Sequence, residues 1–242
     1  MRPSRRLAAI VAAGLLVLPA ACSGDDAPTS TKSSNALSGP VDQKAFVAGL
    51  LAAIDDETTV HLSVDAASMG SAEVDVAYGE DGTRTLVDAE DPQRGPGMFV
   101  IADGMVFIQQ EVGGKFLKMD DTDPSYGKLI STYSAISPED SVAGLAEGIS
   151  DVVADGTDTV EGTACDHYLV TVDPTLASGA FKVLAGTSGV SQSVTFDFYV
   201  DSGQLLRKIA VKINGETTTV ALNDWSKPVT IKVPSGADLV SS

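Results

Sequence analysis

Cysteine and histidine are scarce in this sequence, which limits the catalytic chemistry open to it. Its 242 residues include two cysteines and two histidines, His61 and His167. Cys165 and Asp166 directly precede His167, but neighbouring residues on a strand point to opposite faces, so this thiol and this carboxylate cannot share a site. Cys165 would lie beside His167 without an orienting acid. We therefore expect no enzyme activity and assign no catalytic residue.

Basic residues are also few. The chain has 16 lysines and arginines against 33 acidic residues, which gives a formal net charge of -17. A charge of this sign repels nucleic acids at long range, and no basic patch with interleaved aromatic residues is present, so nucleic acid is not an expected partner. The acidic clusters at residues 55–57 and 120–123 lack the central glycine and terminal glutamate of a calcium-binding loop. Neither a metal nor another cofactor is expected.

Apolar runs long enough to span a membrane are missing. The main run, from Leu7 to Ala21, is shorter than the roughly 20 residues that a spanning helix needs. It follows a basic start and ends in small residues directly before Cys22. This layout is typical of a bacterial lipoprotein signal peptide, after which Cys22 would carry acyl chains such as palmitate. The alternative is an ordinary secretory signal peptide cleaved near Ala21, which would leave Cys22 as a free thiol. Both alternatives predict export.

These features divide the chain into three parts. Residues 1–21 are the predicted signal peptide, and residues 22–41 are the lipidated cysteine followed by a flexible tether with too few apolar residues to fold. As a random coil, this tether would reach on the order of 25 Å. Residues 42–242 are predicted to form a single domain. With Cys22 in the anchor, Cys165 has no partner for an intrachain disulfide, so the domain depends on a hydrophobic core.

The predicted domain opens with an amphipathic helix and continues with strands. Asp42 can cap the helix, and apolar residues recur along it with a helical period. These helix residues are Phe46, Val47, Leu50, Leu51 and Ile54. After the helix, apolar residues recur at every second position, which predicts strands with one apolar face. The clearest alternating apolar residues are Val60, Leu62, Val64, Val74, Val76, Tyr78, Val194, Phe196, Phe198 and Val200.

Turn dipeptides separate the predicted strands. Asp103-Gly104 and Asn214-Gly215 are examples, and the glycine supplies the positive φ of a tight hairpin turn. The strands should therefore form an antiparallel meander, and three further helical stretches should interrupt it. They begin at Asp123-Pro124 with Leu129, Ile130 and Tyr133, at Ser137-Pro138 with Val142, Leu145 and Ile149, and at Asp173-Pro174 with Leu176, Phe181 and Leu184. Short helices beside one long antiparallel sheet make an α+β domain.

The order of these segments resembles the LppX/LprG/LprF lipoproteins of actinobacteria, which share the LolA/LolB-like fold. After the signal and tether, the similar segments are the helix at residues 46–54, EGTACDHYLVTVD at 161–173, FDFYVDSGQLLRK at 196–208 and NDWSKPVTIKVP at 223–234. The second resembles the family's strand pair and the third its Asp-x-x-x-Leu turn between two strands. The last resembles the closing tryptophan, Pro-Val and proline of the family.

The resemblance implies a curled antiparallel half-barrel with several short helices as a lid over its concave face. It also implies a lipid-anchored carrier on the extracytoplasmic face of the cell membrane. Such a carrier would bind the acyl chains of lipids or lipoglycans in a hydrophobic cavity and carry them across the envelope. We expect it to work as a monomer, with an envelope lipid transporter as a candidate partner.

The cavity would be lined by the apolar residues that recur on one side of the predicted helices and strands. The candidate lining residues are Phe46, Leu50, Leu51, Ile54, Val60, Leu62, Val74, Val76, Leu129, Ile130, Tyr133, Leu145, Phe181, Leu184, Phe196 and Phe198. Periodicity alone does not separate a cavity from an ordinary packed core, because the same side chains would serve either. The alternative function is therefore a non-carrier interaction or envelope-sensing module at the cell surface, with a filled core.

Overall fold

The computed structural model describes residues 38–66, 70–79, 82–91, 95–109, 111–120, 137–178 and 192–240. Residues Asn35–Ser242 form one compact unit. The predicted signal peptide and Cys22 lie outside the described residues. Neither helix of the described part has the length and apolarity that a bilayer crossing requires.

The described residues contain two α-helices and twelve strands. The helices are α1 (Gln43–Asp55) and α2 (Pro138–Ala146). The strands are β1 (Ser38–Pro40), β2 (Thr59–Ala66), β3 (Gly70–Gly79), β4 (Gly82–Asp91), β5 (Gly95–Ala102), β6 (Met105–Gln109), β7 (Leu117–Asp120), β8 (Ile149–Val160), β9 (Thr163–Val172), β10 (Val194–Asp201), β11 (Leu206–Ile213) and β12 (Glu216–Asn223).

All twelve strands join one antiparallel sheet, as the turn dipeptides predict. Its order is β1-β8-β9-β10-β11-β12-β2-β3-β4-β5-β6-β7, so two meanders meet where β12 pairs with β2. The β11–β12 connection is the predicted Asn214-Gly215 turn, with φ of 52° and 90°. Positive φ at both central residues is the conformation that matches the twist of a two-residue hairpin.

Side chains cap the N-terminal ends of both helices, at Asp42 as predicted. The Asp42 carboxylate accepts a hydrogen bond from the Ala45 backbone N–H at 2.8 Å. The Ser137 hydroxyl accepts one from the Asp140 backbone N–H at 3.1 Å, and Pro138 occupies the first helical turn. These contacts satisfy backbone donors that have no partner within the helix.

Three segments differ from the expectation. Ile149, expected on the helical stretch from Ser137, is the first residue of β8, because α2 ends at Ala146. Strand β1 lies within the last residues of the predicted tether and pairs with β8, so these residues belong to the sheet. The helix expected from Asp173 is wrong over the described residues, because residues 174–176 form a turn. The Asp173 carboxylate accepts hydrogen bonds from the Thr175 backbone N–H at 2.8 Å and its hydroxyl at 2.7 Å, and it thereby favours a turn over a helix. The stretch expected after Asp123 lies outside the described residues.

The two faces of the sheet differ in chemistry. One face, called here the inner face, carries the predicted apolar residues of β2, β3 and β10 and is packed against α1 and α2. The opposite, outer face is polar over β2, β3, β9 and β10. Where β5 and β6 present Val100 and Phe107 on the outer face, the C-terminal segment covers them with Val229, Ile231 and Val233.

Candidate functional site

The inner face brings together all the candidate lining residues that the structure describes. They belong to or pack against one apolar cluster: Phe46, Leu50, Leu51, Ile54, Val60, Leu62, Val74, Val76, Leu145, Phe196 and Phe198. Leu129, Ile130, Tyr133, Phe181 and Leu184 lie outside the described residues. The apolar sides predicted for the helices and strands thus face one common surface. A ligand-binding role for them stays a prediction.

One half of the inner face is densely packed by protein side chains. The Phe46 ring on α1 lies 4.9 Å from the Tyr168 ring and 6.2 Å from the Phe198 ring, measured between centroids. Phe196 meets Phe198 edge-on at 6.3 Å. Leu50 fills the space beside them and is 1% exposed. These residues form the wall that holds α1 on the sheet.

Near one end of β2 to β5, the inner face carries a row of small side chains that are not fully buried. Val64, Ala72, Ala89 and Gly97 are paired in a row across β2, β3, β4 and β5. Each of the four is partly exposed. We call this row the trough. The larger, partly buried Phe99 ring lies directly beside Gly97.

The trough lies near one end of the sheet, which we call the rim. At the rim β2, β4 and β6 finish and β3, β5 and β7 begin. A cleft of about 320 Å³ opens there between the β6–β7 connection and the C-terminal segment. Its lining residues are Ile108, Glu111, Gly114, Lys115, Leu117 and Val240. Ile108 and Leu117 are paired across β6 and β7, so the cleft reaches the apolar inner side of these strands.

Two outer-face histidines are each held by two carboxylates from neighbouring strands. His61 Nδ1 lies 2.8 Å from Asp75 Oδ1, and its Nε2 lies 3.0 Å from Glu73 Oε2. His167 Nε2 lies 2.8 Å from Asp197 Oδ1, and its Nδ1 lies 3.5 Å from Asp155 Oδ2. The expectation that His167 lacks an acid is therefore wrong, because the two strands that pair with β9 supply Asp155 and Asp197.

These histidine contacts do not make a catalytic thiol of Cys165. The Cys165 side chain is buried, and its Sγ donates to the Thr163 backbone carbonyl at 3.5 Å. Burial raises the pKa of this thiol, which disfavours the nucleophilic thiolate. Within the part of the chain that the structure describes, no group of three or more histidine, cysteine, aspartate or glutamate side chains is arranged to hold a metal ion.

His61 makes the folded state sensitive to pH. Partial burial lowers its pKa, but hydrogen bonds and charge interactions with Asp75 and Glu73 outweigh burial, so the pKa is raised above its ordinary value of 6.5. The stabilising contribution is complete below that ordinary value and is lost as pH rises through the raised pKa. We expect His61→Gln to lower the free energy of unfolding at mildly acidic pH by less than about 1 kcal/mol. The loss should shrink at alkaline pH in urea titrations, and a pH-independent loss would contradict this assignment.

Comparison with known proteins agrees with this architecture. No protein-family model matches the chain. LprF from Mycobacterium bovis has a similar structure, with a TM-score of 0.59 and 15% identity over 82% of this chain and 100% of that chain. LppX from Mycobacterium tuberculosis has a TM-score of 0.56 and 15% identity over 78% of this chain and 98% of that chain. These two structures establish the fold.

A curated relative extends the similarity to the sequence. The lipoarabinomannan carrier protein LprG from Mycobacteroides abscessus is 27% identical over 143 residues, which are 57% of this chain and 58% of that relative. The match thus spans less than two thirds of the relative. The chain is therefore similar to LprF and LppX in fold and to LprG in part of its sequence. LprG is named as a carrier protein, which agrees with the expectation that this chain is not an enzyme.

Proposed function

We propose that this LppX/LprG/LprF-type protein is a membrane-anchored lipoprotein that binds acyl chains on its inner face and carries them across the cell envelope. The observation that carries the proposal is the trough of Val64, Ala72, Ala89 and Gly97, a partly exposed apolar surface beside a packed helical wall. A curled half-barrel with a lid of helices would enclose this surface. The LprG relative is a lipoarabinomannan carrier, which supports a lipid or lipoglycan as cargo.

Burial of an acyl chain supplies enough free energy for such binding. Each methylene moved out of water contributes about 0.8 kcal/mol, so a chain of about 15 methylenes offers on the order of 12 kcal/mol before the costs of association. Binding gains this free energy only if the surface around the acyl chain is apolar and carries few polar groups. The inner face of β2 to β5 meets that requirement with aliphatic and aromatic residues.

A bulky residue in the trough should block uptake of lipid. We expect Ala89→Trp to reduce the uptake of a fluorescent phospholipid by about tenfold or more, because the indole occupies the volume of several methylenes at about 0.8 kcal/mol each. The measurement is equilibrium loading of delipidated protein, with urea unfolding to show that the variant folds.

The matched control for this experiment is Ala210→Trp. Ala210 is also a partly exposed alanine of the sheet, but it lies opposite Asp197 and Thr219 on the outer face. This variant should load lipid like the wild type. If the Ala89→Trp variant folds and its lipid loading is unchanged, the trough is not part of the binding site.

The anchor is a separate prediction. If Cys22 is lipidated, Cys22→Ser should move the protein from the membrane fraction into the medium, because the sequence has no apolar run of spanning length. Immunoblots of both fractions from the same culture measure this. A variant that stays with the membrane would show that something other than acylation of Cys22 retains the protein.

A further inference from the structure

Large apolar side chains are exposed in the rim cleft and in the β6–β7 connection that borders it. Val112 in the β6–β7 connection is 83% exposed, Leu117 at the start of β7 is 40% exposed and Val240 is 52% exposed. Leu117 and Val240 line the rim cleft, and the Val240 backbone N–H donates to the Phe116 carbonyl at 2.9 Å. Clusters of exposed aliphatic residues on a folded protein mark surfaces that contact a partner or a membrane.

This exposed patch is continuous with the apolar inner face. Ile108, in the wall of the cleft, is paired with Phe99 on β5 and with Leu117 on β7. Phe99 packs against both the main inner-face cluster and the smaller cluster of Val106, Ile108 and Met119. Apolar side chains therefore lead from the exposed rim to the trough without crossing a polar layer.

The charge at the rim cleft differs from that of the whole chain. The chain has a net charge of -17, yet among the residues that line the cleft Lys115 balances the one acid, Glu111, and the exposed Lys118 follows Leu117 on the opposite side of β7. Neither lysine is ion-paired with a residue of the described ranges. Exposed aliphatic residues flanked by lysines are the combination that binds a bilayer surface with anionic head groups.

We propose that the rim cleft is the surface by which this protein contacts an anionic lipid bilayer and through which acyl chains enter the inner face. The inference rests on the proposed carrier function and locates its entrance. The exposed aliphatic residues enter the outer part of the bilayer, and the two lysines contact the phosphates of the head groups. The acyl chain then passes along Leu117, Ile108 and Phe99 to the trough.

The test is the rate of lipid uptake from vesicles. The full mature protein is held by its own anchor in phosphatidylcholine vesicles, and separate donor vesicles carry a pyrene-labelled phospholipid in phosphatidylcholine with or without phosphatidylglycerol. We expect the double variant Val112→Asp with Val240→Asp to take up the label about tenfold more slowly than the wild type, because aspartate is disfavoured at a lipid surface. Final loading from detergent-dispersed lipid should be unchanged, since neither residue lies in the trough.

Two further variants sharpen the result. Leu176→Asp changes another exposed aliphatic residue, 59% exposed, which follows the end of β9 and lies outside the cleft, so its uptake rate should equal that of the wild type. Lys115→Glu with Lys118→Glu should abolish the acceleration by phosphatidylglycerol. Equal rates for the wild type and the double aspartate variant, or equal slowing by Leu176→Asp, would overturn the rim as the entrance. A wild type that loads no lipid from vesicles or detergent would instead overturn the carrier function itself.

Discussion

Replacing Asp201 with alanine should lower the free energy of unfolding by about 3 to 5 kcal/mol, as expected when one partner of a buried ion pair is removed. The Asp201 side chain is 10% exposed and lies at the end of β10, where the chain turns into β11. One carboxylate oxygen accepts hydrogen bonds from the backbone N–H groups of Gly203 and Leu205 at 2.8 and 3.0 Å. The other accepts from Arg207 Nε at 2.7 Å and Nη2 at 2.6 Å. Alanine leaves all of these donors without that carboxylate.

The control for this prediction is Asp197→Ala on the same strand. The Asp197 side chain is 42% exposed and contacts His167, so its loss should cost less than about 1 kcal/mol. Urea unfolding can be followed through Trp225, the one tryptophan, whose indole N–H donates to the Leu206 carbonyl at 3.1 Å. A cost for Asp201→Ala similar to that for Asp197→Ala would show that the turn does not depend on this carboxylate.

Leu50→Ala should cost about 2 to 5 kcal/mol of stability, because the substitution removes buried methyl groups and leaves a cavity. Leu50 is 1% exposed and packs in the main cluster, where α1 meets the sheet and α2. It lies in the filled half of the inner face. Equilibrium loading of lipid should therefore change less than in Ala89→Trp, whose side chain enters the trough.

Leu51→Ala is the matched control on the same helix. Leu51 is partly exposed and only borders the cluster, so its truncation should cost under about 2 kcal/mol. Both variants lose the same atoms and keep the helix propensity of alanine. Equal costs at the two positions would contradict the orientation of α1 on the inner face.

The sheet and the two described helices follow closely from local chemistry. Alternation of apolar residues determines which side of β2, β3 and β10 is buried, because a one-residue shift would expose the whole set. The Asp42 and Ser137 caps mark where the helices begin. These signals act within a few residues, so the sequence alone is sufficient to find them.

Features that depend on distant residues could not be found this way. The acids beside His61 and His167 come from other strands, and their positions depend on register. The covering of the outer face by Val229, Ile231 and Val233 likewise depends on where the C-terminal segment runs. The alternation of these three residues is a signal of one apolar side, but it does not indicate which surface they cover.

The sequence predicts which face of the sheet holds the candidate site, but it does not predict where on that face the site lies. Phe46, Leu50 and Phe198 show the same apolar periodicity as residues nearer the trough, although the structure packs them into the wall. The residues of the trough, such as Ala72 and Ala89, were not among the candidates because small side chains contribute little to a hydrophobic pattern. Only the pairing of β3 with β4 brings these two alanines together.

The carrier function is tested most directly by native mass spectrometry of the mature protein purified from membranes of a lipid-rich host, before and after organic extraction. We predict adducts with the mass of acyl lipids that disappear on extraction and return when the extracted protein is mixed with the same lipids. A single bare mass, unchanged after exposure to those lipids, would contradict the proposal. It would mean that the inner face is a filled core and would favour the alternative of a cell-surface interaction module.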